Sequence, residues 1–350
     1  MQTYKFHHAQ QLIREDIRDD RISNIAKFLK DTDDPKFLNS VETLIKEEGL
    51  IRRINQMWDD AGFVPKYKQP FADLLINSKG TLLSKIQLLF HISNREGSQL
   101  MTASDFKSNW NGNIDDKIGN KITTNETFNL MKTRLISDNA FRGQRVGAGE
   151  FFCCLFGKNG KKKKEKEGGG DIEIDGHGLE LKGGGGLMRT HDSTKFRMSD
   201  ELRMELKKKL KMPPVEGSKG YFKPAKANDP HVIEIKKLSG KDQLNIINWY
   251  LSRLYPKFPP PWIKDIAKDW QKNIGTSKIF EKFGSYNLLY YQQTDKWDSI
   301  MLIRETDGFC VNISDVKTAS KQPITFSVNY NRGGDTNAVP DGSGKVHLSK

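Results

Sequence analysis

The stretch Asp171-Ile172-Glu173-Ile174-Asp175-Gly176-His177-Gly178-Leu179-Glu180-Leu181-Lys182 alternates apolar and polar residues on both sides of an Asp-Gly pair. Alternation of that kind has the period of a β-strand, and Asp-Gly supplies the backbone freedom that a tight hairpin turn needs. The stretch therefore predicts two strands joined at Asp175-Gly176. Successive side chains of a strand point to opposite faces, so Ile172, Ile174, Leu179 and Leu181 share one face and enter a core. Asp171, Glu173, Glu180 and Lys182 share the other. Three carboxylates and an amine on one face of a ribbon are compatible with a merely solvated surface. They also make a set of hard oxygen donors with a base beside them.

Working outward, the chain changes character at Gly143. Gly147-Ala148-Gly149-Glu150 opens a short run, Phe151 to Phe156, that is apolar on every side. A helix of that composition has to be buried all round. Lys158 to Glu167 is dense in lysine, including Lys161, Lys162, Lys163 and Lys164, and Gly168-Gly169-Gly170 follows. Such a stretch packs no core and predicts an exposed, mobile loop. Beyond the hairpin stand Gly183, Gly184, Gly185 and Gly186. Four glycines after a strand let the backbone approach something closely, and a phosphate is the obvious partner. Arg189 is then placed to pair with a phosphate oxygen. Arg142, Arg145, Lys195 and Arg197 extend the same basic surface or are simply solvated.

Grouped carboxylates suit a divalent cation such as Mg²⁺. That ion takes oxygen ligands at about 2.0–2.1 Å and keeps several waters, so two carboxylates and a backbone carbonyl suffice. A metal held this way polarises a phosphodiester and acidifies water. A lysine beside it can orient or deprotonate that water, provided burial or the cation lowers its pKa.

In these residues the chain resembles the PD-(D/E)XK nuclease superfamily. The family pattern is an Asp opening one strand of a hairpin and a Glu-x-Lys on the next, with a glutamate on a preceding helix. Here Asp171, Glu180-Leu181-Lys182 and Glu150 occupy those places, with eight residues between Asp171 and Glu180. The likeness covers about residues 143 to 192. No proline precedes Asp171, as is common in the family, and the lysine-rich segment is unusually basic. The resemblance implies an α/β fold, a restriction-endonuclease-like mixed sheet core flanked by helices. It further implies a Mg²⁺-dependent endonuclease (Mn²⁺ substituting) that hydrolyses DNA and leaves a 5′-phosphate. Asp171 and Glu180 are then the main metal ligands, the carbonyl of Leu181 a third, and Glu150 a ligand directly or through water. Lys182 handles the attacking water or the phosphate. Glu173 is an alternative to Asp171 as ligand, on the expectation that a two-residue turn sets it opposite Glu180. His177, in the turn, reads as solvent-exposed.

The rest of the chain frames this core. Residues 1–140 read as a helical region, with apolar stripes at Phe37, Val41, Leu44 and Ile45, at Leu50, Ile51, Ile54, Met57 and Trp58, and from Leu82 to Ile92. A further helix is expected from Asn125 to Ser137. Residues 141–212 hold the nuclease core and end in a lysine-rich helix, Ser199 to Met212. Its Lys207, Lys208 and Lys209 suit either DNA contact or the negative end of the helix dipole. Residues 213–231 read as a linker and 232–350 as an α+β region for substrate recognition. Ser239-x-x-Asp242 predicts a helix start before Leu244. Strands are expected at Leu288 to Tyr291, Ser299 to Ile303, Phe309 to Ile313 and Thr325 to Tyr330, with a turn at Asp307-Gly308. Trp249, Tyr250, Tyr255, Trp262 and Trp270 read as core in preference to base-stacking platforms. Gly342-Ser343-Gly344-Lys345 imitates part of a phosphate loop but lacks its other residues.

With 57 Lys and Arg against 44 Asp and Glu, the chain carries +13 over 350 residues. That excess favours a polyanion, because each neutralised phosphate releases counterions. Three cysteines make no disulfide framework, no apolar run approaches the ~20 residues that cross a bilayer, and no signal peptide opens the chain. An intracellular, cytoplasmic protein is expected, with DNA as partner and no membrane. One active site per chain is compatible with a homodimer for cutting both strands. The competing reading is a catalytically silent, basic DNA-binding or virion-associated protein on a nuclease-like scaffold.

Overall fold

The computed structural model describes residues 50–61, 65–95, 97–141, 147–163, 169–188, 237–273, 278–330 and 340–349. The stripe from Phe37 to Ile45, Arg142, Arg145, Lys164, Arg189, Lys195, Arg197, the segment carrying Lys207, Lys208 and Lys209, and residues 213–231 lie outside them.

Two compact units divide the chain. The first takes the described residues up to Ser108, Gly112–Gly183 and Ile303–Cys310. Its helices are α1 (Leu50–Ala61), α2 (Lys68–Asn77), α3 (Leu82–Ser93), α4 (Glu126–Ser137) and α5 (Ala148–Phe156). Local chemistry sets their ends. Thr81 caps α3 through its hydroxyl, which accepts from Ser84 N–H at 3.2 Å, and Asn125 caps α4 by accepting from Phe128 N–H at 3.0 Å. The α4 stripe buries Phe128, Met131 and Leu135, while Leu130 points outward at 49% exposure. The run Phe151 to Phe156 is buried on every side, as its composition requires. Phe141 stacks on Phe151 at 4.8 Å between ring centres, and Phe128 meets Phe156 edge-on at 5.2 Å. Helix α5 is thus the spine on which the aromatic core closes.

The same unit holds β2 (Lys161–Lys162), β3 (Ile172–Ile174) and β4 (His177–Gly183), paired antiparallel in sequence order. The expected hairpin forms with the two-residue turn Asp175-Gly176, both at positive φ (50° and 83°), as such a turn demands. Ile172, Ile174, Leu179 and Leu181 are buried together. Two expectations are corrected. Lys161 and Lys162 are a strand on the edge of the hairpin, not part of a loose loop. The region expected to be helical throughout also contains a strand, β1 (Trp110–Asn113). Helix α5 and the hairpin stand in one unit, α5 packing its apolar circumference against α4 and β3.

The second unit holds α6 (Gly240–Leu254), α7 (Pro260–Asn273) and α8 (Lys278–Asp295), with β5 (Gly185–Met188), β8 (Ile324–Tyr330) and β9 (Pro340–Leu348). Ser239 caps α6 by accepting from Asp242 N–H at 3.2 Å. Leu288 to Tyr291, expected as a strand, belongs to α8. A short apolar run does not reveal its period, and the buried Asn287, Leu288, Tyr290 and Tyr291 recur at the three- and four-residue spacing of an 18-residue helix. Tyr255 and Trp270 are core, whereas Trp262 is 41% exposed and stands edge-to-face on Phe258 at 5.6 Å. Strand β9 contains the phosphate-loop lookalike, which is extended and pairs with β5 and β8.

With β6 (Ser299–Ile303) and β7 (Phe309–Ile313), both foreseen in the sequence, the strands form two sheets. A six-stranded mixed sheet flanked by helices runs β1-β7-β6-β4-β3-β2, and a three-stranded sheet runs β5-β9-β8. The fold class is α/β. Asp307-Gly308 turns the chain between β6 and β7, with Gly308 at φ 76°.

Candidate active site

Asp171 lies one residue before β3, where the hairpin has begun to pair. Its N–H donates to Leu179 O at 3.0 Å, and its carbonyl accepts from Lys163 N–H at 3.0 Å. Its carboxylate reaches across the ribbon, Oδ2 accepting from Leu181 N–H at 2.9 Å. The side chain therefore replaces a rung of the ladder and is locked against the strand that carries Glu180 and Lys182. Gly170 permits this. It sits at φ +92°, and a Cβ there would lie 2.7 Å from the carbonyl carbon and oxygen of Leu179.

Register decides between Asp171 and Glu173. Ile172 pairs with Leu179, Glu173 with Gly178 and Ile174 with His177. The paired register ends there, and Asp171 holds β4 on either side of Glu180, through its N–H to Leu179 O and its carboxylate to Leu181 N–H. A two-residue turn thus sets Glu173 opposite Gly178 and not Glu180, contrary to the expectation from sequence. Glu173 has other partners: Lys161 Nζ at 2.9 Å and Lys163 Nζ at 3.5 Å. The hydrogen bond from Lys161 is the largest influence holding its carboxyl below the usual range.

Glu180 is buried at 4% exposure, and the Lys182 ammonium is in direct contact with its Oε1. Glu150 stands in the first turn of α5, where the partial positive charge of the helix N-terminus favours a carboxylate. Close approach at this point depends on Gly149, whose Cβ, if present, would lie 2.9 Å from Ile303 Cγ2. Glu150 Oε2 is buried with no hydrogen-bond partner and lies 3.7 Å from Lys162 Nζ. Burial pushes the Glu150 carboxyl up to about 7, and the charge of Asp171 adds to the rise. The Gly147 N–H, Lys162 and Lys182 act in the opposite direction. Glu150 is therefore coupled electrostatically to both Asp171 and Lys182, and Lys182 touches Glu180. The structure brings all four residues of the expected constellation into one neighbourhood.

That coupling has a consequence for stability. The folded chain holds a proton on Glu150 at higher pH than the unfolded chain does, near 7 against 4.5. The associated stability is full below about pH 4.5 and is lost as pH rises through 7, a change of about 3 kcal/mol. Glu150→Gln is expected to match wild type near pH 4.5 to 5 and to exceed it by up to that amount at pH 8. Urea denaturation in EDTA at the two pH values checks this, and a gap that does not widen with pH contradicts it.

The donor set, three carboxylates and a carbonyl, is of the hard oxygen type that Mg²⁺ prefers, and the partnerless Glu150 oxygen is a further mark of fit. As they stand, however, no three His, Cys, Asp or Glu side chains among the described residues are gathered into a ready-made metal site. Asp171 is turned to a backbone amide and Glu180 to an ammonium.

Other expected site residues fall elsewhere. Gly183 ends β4, Gly184 makes the bend at φ +38°, and Gly185 and Gly186 pair with His347 and Val346 in the three-stranded sheet. What this glycine run approaches is a neighbouring strand. Gly184 O accepts from Leu348 N–H at 3.1 Å. Lys161 and Lys163 face Glu173, leaving Lys162 on the side of Glu150. His177 is buried at 7% exposure and stacks on Phe106 at 6.0 Å. The turn is confined to Asp175-Gly176, so His177 already belongs to β4 and shares the buried face of Leu179.

Arg95 carries no signal in the sequence, yet it secures the far end of α5. Its guanidinium donates to the carbonyls of Leu155 (2.8 Å), Cys154 (2.7 Å), Gly157 (2.8 Å) and Gly160 (3.1 Å). Met101 N–H takes Phe156 O at 2.9 Å. These bonds satisfy carbonyls that the helix end leaves unpaired and fix the path from α5 into β2. Burial lowers the Arg95 pKa to about 10.

The chain matches no protein-family model, no curated protein and no solved structure. Its likeness to the PD-(D/E)XK nucleases rests on the residues named above. All three cysteines are buried and free, and among the described residues no helix is long and apolar enough to cross a membrane.

Proposed function

We propose that the chain is a Mg²⁺-dependent endonuclease that hydrolyses DNA on a restriction-endonuclease-like core. The observation that carries this reading is the grip of Asp171 on the strand of Glu180. Its N–H donates to Leu179 O and its carboxylate accepts from Leu181 N–H, Lys182 touches Glu180, and the helix glutamate Glu150 feels the charges of Asp171 and Lys182. The net charge of +13 supports a polyanionic substrate.

Asp171, Glu180 and the carbonyl of Leu181 would hold the ion, with Glu150 directly or through water. When bound, the ion supplies the charge that polarises the phosphodiester and acidifies the attacking water. Lys182, released from Glu180, would position that water or, as the neutral amine, take its proton, and as the ammonium would offset charge on the phosphate. Glu150, on a rigid helix end, holds its carboxylate toward Asp171. Burial of Glu180 keeps competing water from its oxygens.

Lys182→Ala and Asp171→Ala are each expected to lower Mg²⁺-dependent cleavage of supercoiled plasmid at least about a hundredfold. EDTA is expected to abolish cleavage by the wild type. Cutting that survives both substitutions would refute the assignment. The internal partners of Asp171 and Glu180 favour one competing reading, a silent DNA-binding protein on the same scaffold. Binding of duplex DNA without cutting in either Mg²⁺ or Mn²⁺ would select it.

A further inference from the structure

The lysine run at 161–163 is sorted by the pleat of β2. Lys161 and Lys163 point to Glu173, at 2.9 Å and 3.5 Å. Lys162, paired in register with Ile172, points the other way, toward helix α5. There its ammonium lies 3.7 Å from Glu150 Oε2, an oxygen that is buried and accepts no hydrogen bond. The Lys162 side chain is 27% exposed and that of Glu150 13%, so solvent screens the pair incompletely. An amine thus stands at each of two buried carboxylates, Lys182 at Glu180 and Lys162 at Glu150.

We infer that Lys162 is a positioning residue that serves Glu150 as a resident counter-cation and competes with the divalent ion for that carboxylate. The inference rests on the metal-binding reading of the site. A distance of 3.7 Å without a hydrogen bond is an attraction between charges and not a directional contact, so the carboxylate is steered without being tied. A divalent ion reaching Glu150 meets the Lys162 ammonium, a charge of the same sign, at the buried oxygen. Removing that charge makes Glu150 a better ligand, the opposite of what loss of a structural lysine would do.

The test is calorimetric titration of Mg²⁺ into the full chain without DNA, comparing wild type with Lys162→Met, Lys162→Arg and Lys161→Met. Lys162→Met is expected to bind Mg²⁺ roughly three- to tenfold more tightly, the order of magnitude of one incompletely screened ion pair. Lys162→Arg, which keeps the charge, and Lys161→Met, which faces Glu173, are expected to stay within twofold of wild type. Unchanged or weakened binding by Lys162→Met overturns the inference, as does equal tightening by Lys161→Met. Wild type that takes up no Mg²⁺ removes the metal reading itself, and the inference with it. The wild-type titration reports the first and the comparison of variants the second, so the two failures are distinguishable.

Discussion

Arg95→Ala is expected to destabilise the folded chain by about 3–5 kcal/mol, read as a lowered urea midpoint. The substitution removes a buried guanidinium that donates to the carbonyls of Cys154, Leu155, Gly157 and Gly160. Two of those carbonyls end α5, where the helix has no amide of its own to offer. A buried carbonyl left without a donor costs about 1–3 kcal/mol, and several are orphaned at once. Arg95→Lys is expected to recover part of the loss, since an ammonium reaches fewer acceptors than a planar fork. Because α5 carries Glu150 at its other end, the variant is also expected to show weaker Mg²⁺ uptake at temperatures where it is still folded. A midpoint within about 1 kcal/mol of wild type would show that α5 does not depend on this cap.

Gly170→Ala is the substitution expected to separate the hairpin from its chemistry. At φ +92° any side chain is strained, and this one would press on the carbonyl group of Leu179 at 2.7 Å and on Glu180 N at 2.9 Å. Those neighbours are backbone and have little room to give. The expected cost is about 2–4 kcal/mol, a left-handed penalty with the displacement of a strand added to it. The next residue is Asp171, whose bonds to Leu179 O and from Leu181 N–H hold it beside Glu180. A shift of about 1 Å there is expected to lower cleavage a hundredfold even in the protein that remains folded. Gly176→Ala provides the contrast. It also has positive φ, 83°, but nothing lies within 4 Å of its Cβ position. It is expected to lose about 1 kcal/mol and keep its activity. Equal losses of activity in the two variants would mean that strain alone, and not crowding against the Glu180 strand, sets the effect.

The hairpin was legible because its alternation, its Asp-Gly turn and its charged face agree, so that one period accounts for all twelve residues. The all-apolar run after Glu150 was legible for a similar reason, since no arrangement other than full burial suits it. Register was not settled from the residues: counting across the turn had put Glu173 at Glu180, whereas the ladder puts Gly178 opposite Glu173. The run of glycines before Asp171 looked like a flexible spacer. One of them, Gly170, is a close contact that only a folded neighbour could reveal. His177 reads as part of the turn in the sequence, but the turn is two residues long and His177 pairs with Ile174. Leu288 to Tyr291 shows the limit of short apolar runs, which fit a strand or a buried helix equally well.

By itself the sequence determined the hairpin and the buried helix, which follow from periodicity and residue type acting over a few neighbouring positions. The α/β class and the grouping of Glu150, Asp171, Glu180 and Lys182 as a site came from the resemblance to the nuclease superfamily. Only the tertiary structure decided that Lys162 faces Glu150 while its neighbours face Glu173, that Arg95 caps α5 from sixty residues away, and that Gly185 and Gly186 pair with a strand near residue 346. Such contacts join segments distant in the chain. Their partners are chosen by packing and by the need to satisfy buried polar groups, and no local pattern of residues records that choice.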